Sequence, residues 1–596
     1  MSFFQELKRR NVFRVAVAYI IVGWLVLQVG DTLVPALHLP QWFNSGIALL
    51  LILGFPIAVL FAWAFELTPE GVKLERNVDR SASITDRTGQ KLNLSIIVLL
   101  SLAVGYFAVD KFVLAPERSL AESAGSAASA PSETSIAVLP FVNMSDDASN
   151  EFFADGITEE LLNLLAKIPE LDVTSRSSAF QFKGKDIDIP TVAAKLNVAH
   201  VLEGSVRKAG IKVRITAQLI QADSDKHVWS ETYDRDLNDI FAIQDEIARE
   251  VVDVLQLTLL GAAPTSQAID TEAYSLYLEG LHYLDRDRAD DWPKAEQLFS
   301  KALQIVPDYA PALLGKARAL REQANFGSIN LREGTEEARS LAIRAAEMDP
   351  SSAEAWAMLG WLKYVYDWDW PGARELGEKA LQLESNNILA LRLMTYIEQS
   401  AGRLDSAERY GLRALQHDPL GQVTIGDVAA MYWFKGDFEN SMRLTRRGME
   451  LNPNVSGYRE WLSQLYTLLG RHDEAMRELQ AVKVEARENA LHAAYAAALL
   501  YHDVGRQDEA AAAVQYIIDN YGAPLSYQIA QRLAYQGRVD EAFEWLDIGF
   551  EDRDGGMTYL VVDPLLKNLH GDSRWRELLK RMRMLDYWDE YQQQRA

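Results

Sequence analysis

The sequence predicts a multi-domain chain: three transmembrane helices, then one small α/β domain with a mixed sheet, then an all-α superhelix of helical repeats. Three observations predict this order. Three apolar runs lie within the first 113 residues, strand and helix patterns alternate over residues 135–261, and the rest of the 596-residue chain repeats with a period near 34 residues. At roughly 100–200 residues per domain, this length fits several domains.

The composition excludes several kinds of site. The chain has no cysteine, which rules out disulfides, thiol nucleophiles and Cys-ligated zinc. Its formal charge of −24 argues against a nucleic-acid partner, since phosphate binding needs clustered Lys and Arg. The charge is uneven, because residues 1–116 carry 10 basic and 8 acidic residues, which leaves 50 basic and 76 acidic residues for 117–596. The apolar runs and the excess of acidic residues therefore lie in different parts of the chain.

Residues 1–116 are predicted to form a membrane anchor. A helix needs about 20 apolar residues to cross a bilayer, and the three runs predict such helices at about 12–33, 46–65 and 92–113. Basic residues precede the first run and fill the loop 66–93, whereas the loop 31–45 has none. By the positive-inside rule the amino terminus is cytoplasmic. This predicts a bacterial inner-membrane protein with a periplasmic carboxy-terminal region, or a cytoplasmic one if the third run does not cross.

An α/β domain is predicted at 135–261, after a flexible linker at 117–134 that is rich in Ala, Ser and Glu. Apolar periodicity predicts a helix at 157–168, with Asp155 as its cap and with Glu159 and Glu160 stabilised by the helix dipole. Pro190 fits the first turn of a second helix, at 189–196. The remaining patterns predict strands at 136–141, 171–174, 201–207, 212–221 and 227–233 and a last helix at 237–260.

Several strings in this domain resemble a bacterial family. They are IAVLPFVNMSDD, FFADGITEELLNLLAKIP, TSRSSAFQFKGK, VLEGSVRKAG, VRITAQLIQADSDKHVWSETYDR and IFAIQDEIA. Together they resemble the module related to the amino-terminal domain of TolB-like proteins and to FlgO-type domains. The resemblance implies a module between a membrane segment and tetratricopeptide repeats, in some members attached to an adenylate cyclase or a winged-helix domain. Only about 14 residues precede the first predicted span, so we expect neither domain here.

Residues 271–562 are predicted to form about eight tetratricopeptide (TPR) repeats. A small residue recurs at 34-residue spacing, with a second small residue seven positions later and often a proline twelve positions later. Small residues let paired helices approach closely, and proline ends the second helix. A wider first interval predicts an insertion of about nine residues near 325–333, and residues 563–596 are predicted to form a capping helix region. The small residues are Ala295, Ala338, Ala373, Ala407, Ser441, Ala475, Ala510 and Ala542.

The candidate partner-binding residues are mostly aromatic. The densest aromatic cluster contains Trp356, Trp361, Tyr364, Tyr366, Trp368 and Trp370. Aromatic residues often anchor interfaces, but they also fill the packing positions of repeats, and both interpretations stay open. A polar face with Glu203, Arg207, Arg214 and Trp229 on neighbouring strands is a second candidate, for which simple cross-strand pairing is the alternative.

No pattern indicates catalysis, a cofactor or a metal. The nine histidines lack ligand spacing, and phosphate-loop and nucleophile-elbow motifs are missing from the sequence. Lys183 and Lys185 offer only a weak phosphate contact. The leading hypothesis is a non-enzymatic membrane-anchored scaffold or assembly factor that binds a protein or peptide in the TPR groove outside the cytoplasm. The alternative is a sensory protein coupled to a cytoplasmic cyclase or regulator.

Overall fold

A computed structural model of the chain describes residues 131–595 with gaps at 146, 148–149, 256–268, 287, 326–327 and 483–486. From the amino-terminal part it describes two short strands and the single residues Tyr19, Gly23, Leu51, Gly54 and Phe55. The chain divides into two compact units, Met1–Ser129 and Ala130–Ala596.

The described part of the first unit contains a small hairpin. Strand β1 (Phe65–Thr68) pairs antiparallel with strand β2 (Gly71–Leu74). Elsewhere in this unit the Tyr19 hydroxyl donates a hydrogen bond to the Leu51 carbonyl at 3.0 Å. The hairpin lies where the sequence predicts the end of the second span and the start of the loop 66–93.

The prediction of three transmembrane helices is corrected. None of the helices formed by the described residues is long and apolar enough to cross a membrane. Phe65, at the end of the second predicted span, begins a strand. The rest of the predicted spans, at 12–33, 46–65 and 92–113, lies outside the described residues, as does nearly all of the predicted linker. The inner-membrane location with a periplasmic carboxy-terminal region depended on these spans and is withdrawn with them.

The fold class is therefore an α/β domain followed by an all-α repeat array. The sheet of the domain has the order β5-β3-β6-β7-β8, with β4 beside β6. Strand β3 is parallel to β5 and β6, and β6, β7 and β8 form an antiparallel meander. The strands are β3 (Ser135–Val138), β4 (Val142–Asn143), β5 (Asp172–Val173), β6 (His200–Ala209), β7 (Lys212–Gln221) and β8 (Lys226–Asp236).

Helices pack on both faces of the sheet. Glu151–Ala166 and Ile240–Val254 pack on the first face, where the apolar side chains of β6 and β7 join their core. Ile189–Leu196 covers the second face near β3. This last helix has the predicted bounds because its signals are local: Asp188 accepts a hydrogen bond from the Thr191 backbone, and Pro190 lies in the first turn. A short helix, Arg176–Ala179, and a 3₁₀ turn, Phe180–Phe182, follow β5.

Sixteen helices form eight antiparallel pairs within the described part of 271–551, which confirms the TPR-like superhelix. We number the pairs as repeats 1–8. They are Thr271–Leu284 with Trp292–Ile305, Ala310–Asn325 with Leu331–Met348, Ala353–Leu362 with Trp370–Leu383, Ile388–Ser400 with Leu404–His417, Gln422–Lys435 with Phe438–Leu451, Ser456–Leu468 with His472–Ala481, Arg487–Asp503 with Gln507–Asn520, and Ser526–Tyr535 with Val539–Glu551.

The recurring small residues lie where the paired helices touch. All eight of them, from Ala295 to Ala542, are at most 1% exposed, because a larger side chain there would push the helices apart. Glycine permits the tight turns between paired helices, as at Gly436, which has a φ of 79°. The insertion in repeat 2 lengthens both of its helices, to 16 and 18 residues, instead of forming a long loop.

The chain ends in a segment that packs back onto the repeats. It contains two 3₁₀ helices, Gly555–Tyr559 and Pro564–Leu569, followed by the helices Ser573–Arg581 and Leu585–Arg595. We call residues 552–595 the closing segment. Trp575 in this segment is fully buried, so the segment has an inward apolar side in addition to its charged surface. The domain boundaries themselves remain predictions.

Candidate functional site

Three residues of the aromatic cluster are buried against the closing segment. Tyr364, Trp368 and Trp370 are at most 3% exposed. The Trp370 indole nitrogen donates to the Met582 carbonyl at 3.0 Å, and the Arg553 guanidinium lies 4.1 Å from the centre of the Trp368 ring. These three side chains therefore join repeat 3 to the closing segment.

Trp356 and Trp361 are the half-buried members of the cluster. The Trp356 indole nitrogen donates to the Pro350 carbonyl at 2.9 Å, and the Lys379 ammonium lies 3.1 Å from its ring centre. The Trp361 nitrogen donates to the Leu389 carbonyl at 3.1 Å. Both rings are thus held in place by the repeats while keeping part of their surface in solvent.

The closing segment runs through the inside of the superhelix. The ring of Tyr559 lies 5.0 Å from Phe434, 6.1 Å from Tyr396 and 6.4 Å from Tyr527, measured between centroids. Four residues later, Asp563 accepts a hydrogen bond from the Tyr527 hydroxyl at 2.7 Å. Since these partners belong to the first helices of repeats 4, 5 and 8, the segment occupies the groove that those helices line.

The burial of this segment decides whether the groove can open. Met557, Leu560, Val561, Leu566 and Leu569 are at most 1% exposed. Burying one such side chain stabilises a fold by about 1.5–3 kcal/mol, so exposing all five would cost about 8–15 kcal/mol. That is the whole unfolding free energy of a typical domain. The segment is consequently part of the core, and this part of the groove is closed to a peptide.

The first repeat is covered by the α/β domain. The Gln244 amide donates to the Tyr274 hydroxyl at 2.9 Å, and the Tyr277 hydroxyl donates to Glu160 at 3.3 Å. Gly156 lies so close to repeat 1 that an added Cβ would be 2.5 Å from the Leu278 side chain. The helices Glu151–Ala166 and Thr271–Leu284 therefore share one core.

Charged groups are buried at the same junction. Arg176 is 3.1 Å from Glu159 and 2.9 Å from Asp285, and Arg318 is 3.6 Å from Asp285. Burial raises the pKa of Glu159 to about 8, although Arg176 opposes the shift, and burial raises the pKa of Glu160 to about 7. The prediction that the helix dipole stabilises these two carboxylates is wrong, because both lie well inside a helix that begins at Glu151.

Asp155 is an ion-pair residue rather than the predicted helix cap. Lys183 contacts its carboxylate at 2.5 Å, and His282 lies 3.4 Å from it. Burial raises the pKa of Asp155, but the hydrogen bonds from His282 and Lys183 outweigh this and hold the pKa below its usual range. Lys183 also pairs with Glu151 at 2.9 Å. Its ammonium group is therefore engaged in ion pairs within the protein.

A second attachment joins the α/β domain to the turn between repeats 4 and 5. The Asp418 carboxylate accepts hydrogen bonds from the hydroxyls of Ser175, of Ser177 at 2.5 Å, of Ser178 at 2.7 Å and of Thr424 at 2.5 Å. The Leu420 backbone donates to the Ser178 hydroxyl at 2.9 Å. Asp418 is only 3% exposed. We call this set of contacts the Asp418 clasp.

Three further contacts support the clasp. The Ser175 backbone donates to the His417 carbonyl at 2.8 Å, and the His417 ring lies 2.7 Å from the Asp172 carboxylate. Leu420 joins the apolar cluster around Leu196 on the second face of the sheet. The attachment therefore combines buried polar and apolar contacts.

The structure separates Trp229 from the other candidates on the meander, Glu203, Arg207 and Arg214. Arg207 lies opposite Arg214, which pairs with Asp234 at 2.8 Å. Trp229 lies opposite Leu219 and packs against the core. Because side chains alternate along a strand, Arg207 and Trp229 occupy opposite faces of the sheet. In the part of the chain that the structure covers, no group of three His, Asp or Glu side chains could hold a metal ion.

Sequence reasoning missed the clasp and the packing of the closing segment in the groove, although residues 563–596 were predicted as a capping helix region. Their partners are separated by up to 243 and 212 residues along the chain, so no local periodicity indicates these contacts. One available signal for the clasp was the run of serines after β5, because serine hydroxyls often form hydrogen bonds at the start of a helix. Another was the apolar content of the residues after Asp563.

Two comparisons are with a sequence family and with a curated relative. Residues 132–250 match the family described as HilA/YgeH-like transcriptional regulator, second domain. A putative adenylate cyclase 3 of Rhizobium meliloti (strain 1021) is 41% identical over 186 residues, which cover 30% of this chain and 32% of that protein. The resemblance to TolB-like and FlgO-type modules stays a prediction, since the matched family carries a different description.

Solved structures with similar helical repeats include PilF of Pseudomonas aeruginosa, at 20% identity and a TM-score of 0.27, covering 34% of this chain and 93% of PilF. Another is IFIT1 bound to m7Gppp-AAAA, at 15% identity and a TM-score of 0.39, covering 58% of this chain and 80% of IFIT1. At these TM-scores neither likeness carries an argument about function. The chain spans about a third of the length of the curated relative that it matches.

Proposed function

We propose that this chain is a non-catalytic scaffold that binds a protein partner. The observation that carries the proposal is its construction: eight stacked helix pairs, fixed to an α/β domain at two places, present a long and rigid surface. The formal charge of −24 opposes binding to nucleic acid, so we propose a protein or peptide as the partner.

The partner is proposed to bind the part of repeat 3 around Trp356 and Trp361, which keep part of their surface in solvent. We expected a peptide in the groove, but the closing segment lies there along repeats 4, 5 and 8. Trp356 and Trp361 remain the best anchors of the aromatic cluster, because each ring is held by a hydrogen bond yet is only half-buried. Rigid aromatic side chains with part of their surface free are common interface anchors. Arg207 and Trp229 are weaker candidates, since they lie on opposite faces.

Photo-crosslinking tests this proposal. A photoreactive phenylalanine replaces Trp356 or Trp361 in the full chain, expressed in its native host, and the same replacement at buried Trp370 is the control. We expect a discrete adduct with one other protein from position 356 or 361 and none from 370. The absence of adducts from both position 356 and position 361 would contradict the proposed surface.

The comparisons favour signalling as a second candidate. The α/β domain matches a domain of a transcriptional regulator, and a relative is named as a putative adenylate cyclase. The chain could therefore act on a separate cyclase or regulator instead of assembling proteins. A cyclase or transcription-factor gene beside this gene, together with a change in cyclic AMP on deletion, would favour signalling over the scaffold.

The absence of catalysis is itself open to test. Purified full chain is incubated with ATP and a divalent metal, and cyclic AMP is measured. We expect no turnover above that of heat-denatured protein. Turnover that survives further purification would overturn the non-catalytic part of the proposal.

A further inference from the structure

One short element of the α/β domain contacts two distant parts of the repeat array. From the helix Arg176–Ala179, the Arg176 guanidinium reaches Asp285, at the end of the first helix of repeat 1. The hydroxyls of Ser177 and Ser178, on the same helix, reach Asp418 between repeats 4 and 5. We call residues 172–179 the strut.

The position of the strut matters because of how solenoids are built. Each repeat of a solenoid contacts only its neighbours, so its curvature is set by many small steps and its ends are free to move relative to one another. The strut contacts both repeat 1 and the junction of repeats 4 and 5. It therefore restricts the movement of these repeats relative to one another. The angle between these repeats is then coupled to the position of the strut.

The two ends of the strut are held by different chemistry. At the repeat 1 end, Arg176 lies between Glu159 and Asp285 in a buried charge network. At the other end, the described residues place no Lys, Arg or His within 4 Å of the Asp418 carboxylate, which is held by hydroxyl groups, and the His417 ring contacts Asp172 of the strut at 2.7 Å. Hydrogen bonds from hydroxyls depend strongly on distance and angle. A small rotation of repeat 5 against the strut would therefore break the contacts at Asp418 first.

We propose that the strut mechanically couples the curvature of repeats 1–5 to the α/β domain, with the Asp418 clasp as its releasable end. Bending the repeats withdraws the Asp418 carboxylate from Ser175, Ser177 and Ser178 and loosens the strut. Because the strut begins with β5, a strand of the sheet, and Arg176 holds Glu159 on the helix Glu151–Ala166, the loosening reaches the sheet and its main covering helix. The coupling does not depend on which partner the repeats bind.

Hydrogen exchange of the full chain, read by mass spectrometry, tests the coupling. Asp418→Ala removes the acceptor of the clasp. We expect exchange to rise about tenfold not only in 172–179 and 417–424 but also in Thr271–Leu284, at the far end of the strut. A rise confined to the residues next to position 418 would overturn the proposal.

The control is a matched aspartate. Asp349 occupies the same repeat position, before a proline, but its carboxylate bonds to the nearby Ser351. Asp349→Ala should leave the exchange of Thr271–Leu284 unchanged, and an equal rise there would contradict the coupling. Ser178→Ala is a milder variant, for use if Asp418→Ala does not fold, and should produce the same pattern at smaller amplitude.

Coupling must also be reciprocal. Asp285→Asn weakens the strut at repeat 1, and we expect faster exchange in 417–424 as a result. Unchanged exchange there, in a variant whose exchange rises around position 285, would show that the two ends act independently and would overturn the proposal.

Discussion

The Ser178 hydroxyl donates a hydrogen bond to the Asp418 carboxylate at 2.7 Å, although 240 residues separate the two in sequence. The same hydroxyl accepts a hydrogen bond from the Leu420 backbone at 2.9 Å. One serine side chain thus satisfies a buried acceptor and a buried donor in another part of the chain. The α/β domain and the middle of the repeat array are therefore joined by specific contacts.

Ser178→Ala should destabilise the protein by about 1–3 kcal/mol, because it leaves the Leu420 N–H buried without its acceptor and removes one donor from Asp418. Urea unfolding of the full chain measures the change. Ser177→Ala is the control, since Ser177 is exposed and water can replace its hydroxyl, and it should cost less than about 1 kcal/mol. Equal effects of the two substitutions would contradict the role given to Ser178.

Gly156→Ala should destabilise the junction with repeat 1. The added methyl group would lie 2.5 Å from the Leu278 side chain, and overpacking of this kind costs about 1–3 kcal/mol. The helical Gly426 serves as the control, because a Cβ added there would meet no other group within 4 Å. Gly426→Ala should stabilise by about 0.5–1 kcal/mol through helix propensity. Thermal unfolding distinguishes the two, and a stabilising Gly156→Ala would refute the close contact.

Stability should fall as the pH rises from about 4.5 through 7. Burial raises the pKa of Glu160 from 4.5 to about 7, so the folded chain keeps a proton that the unfolded chain has released, and folding weakens as pH increases across this window. Glu160→Gln should flatten the profile and gain stability relative to wild type at pH 8. Free energies of unfolding at several pH values measure this.

The exposed Glu272, on the facing helix, provides the control for that experiment. Glu272→Gln should follow the wild-type pH profile. The prediction fails if Glu160→Gln loses stability between pH 5 and 8 as steeply as wild type does.

Trp370→Phe should loosen the closing segment. The substitution leaves the Met582 carbonyl without its indole donor in a site where Trp370 is 3% exposed, at a cost of about 1–3 kcal/mol. Limited proteolysis should then cut more readily within 552–595. Trp356→Phe removes a similar hydrogen bond at a half-buried site and should leave proteolysis unchanged. Identical digestion patterns for wild type and Trp370→Phe would contradict the closure.

Local signals allowed much of the fold to be predicted. The helix Ile189–Leu196 and the strand Lys212–Gln221 have the predicted bounds, because capping, proline and alternation act over a few residues. The small residues that mark the repeats are buried as helix packing requires. The predicted cap at Asp155 is wrong because the apolar pattern of the helix begins earlier, around Phe153, than the interpretation allowed.

The functional surfaces were harder to predict. Trp370 and Trp356 look alike in sequence, and only the distant Met582 distinguishes the buried ring from the half-buried one. Arg207 and Trp229 lie on neighbouring strands, as expected, but the register places them on opposite faces. Contacts between residues far apart in sequence decide both cases, and a single sequence carries no periodic signal for them.

The claim that the α/β domain and repeats 1–5 behave as one body is tested most directly by hydrogen exchange in increasing urea. The amides of Lys212–Gln221, in the sheet, and of Ile388–Ser400, in repeat 4, are followed in the full chain. If the two parts are joined as described, both segments should open with the same free energy and the same dependence on urea. Opening of the strand at clearly lower urea than the helix, with repeat 4 still protected, would contradict the claim.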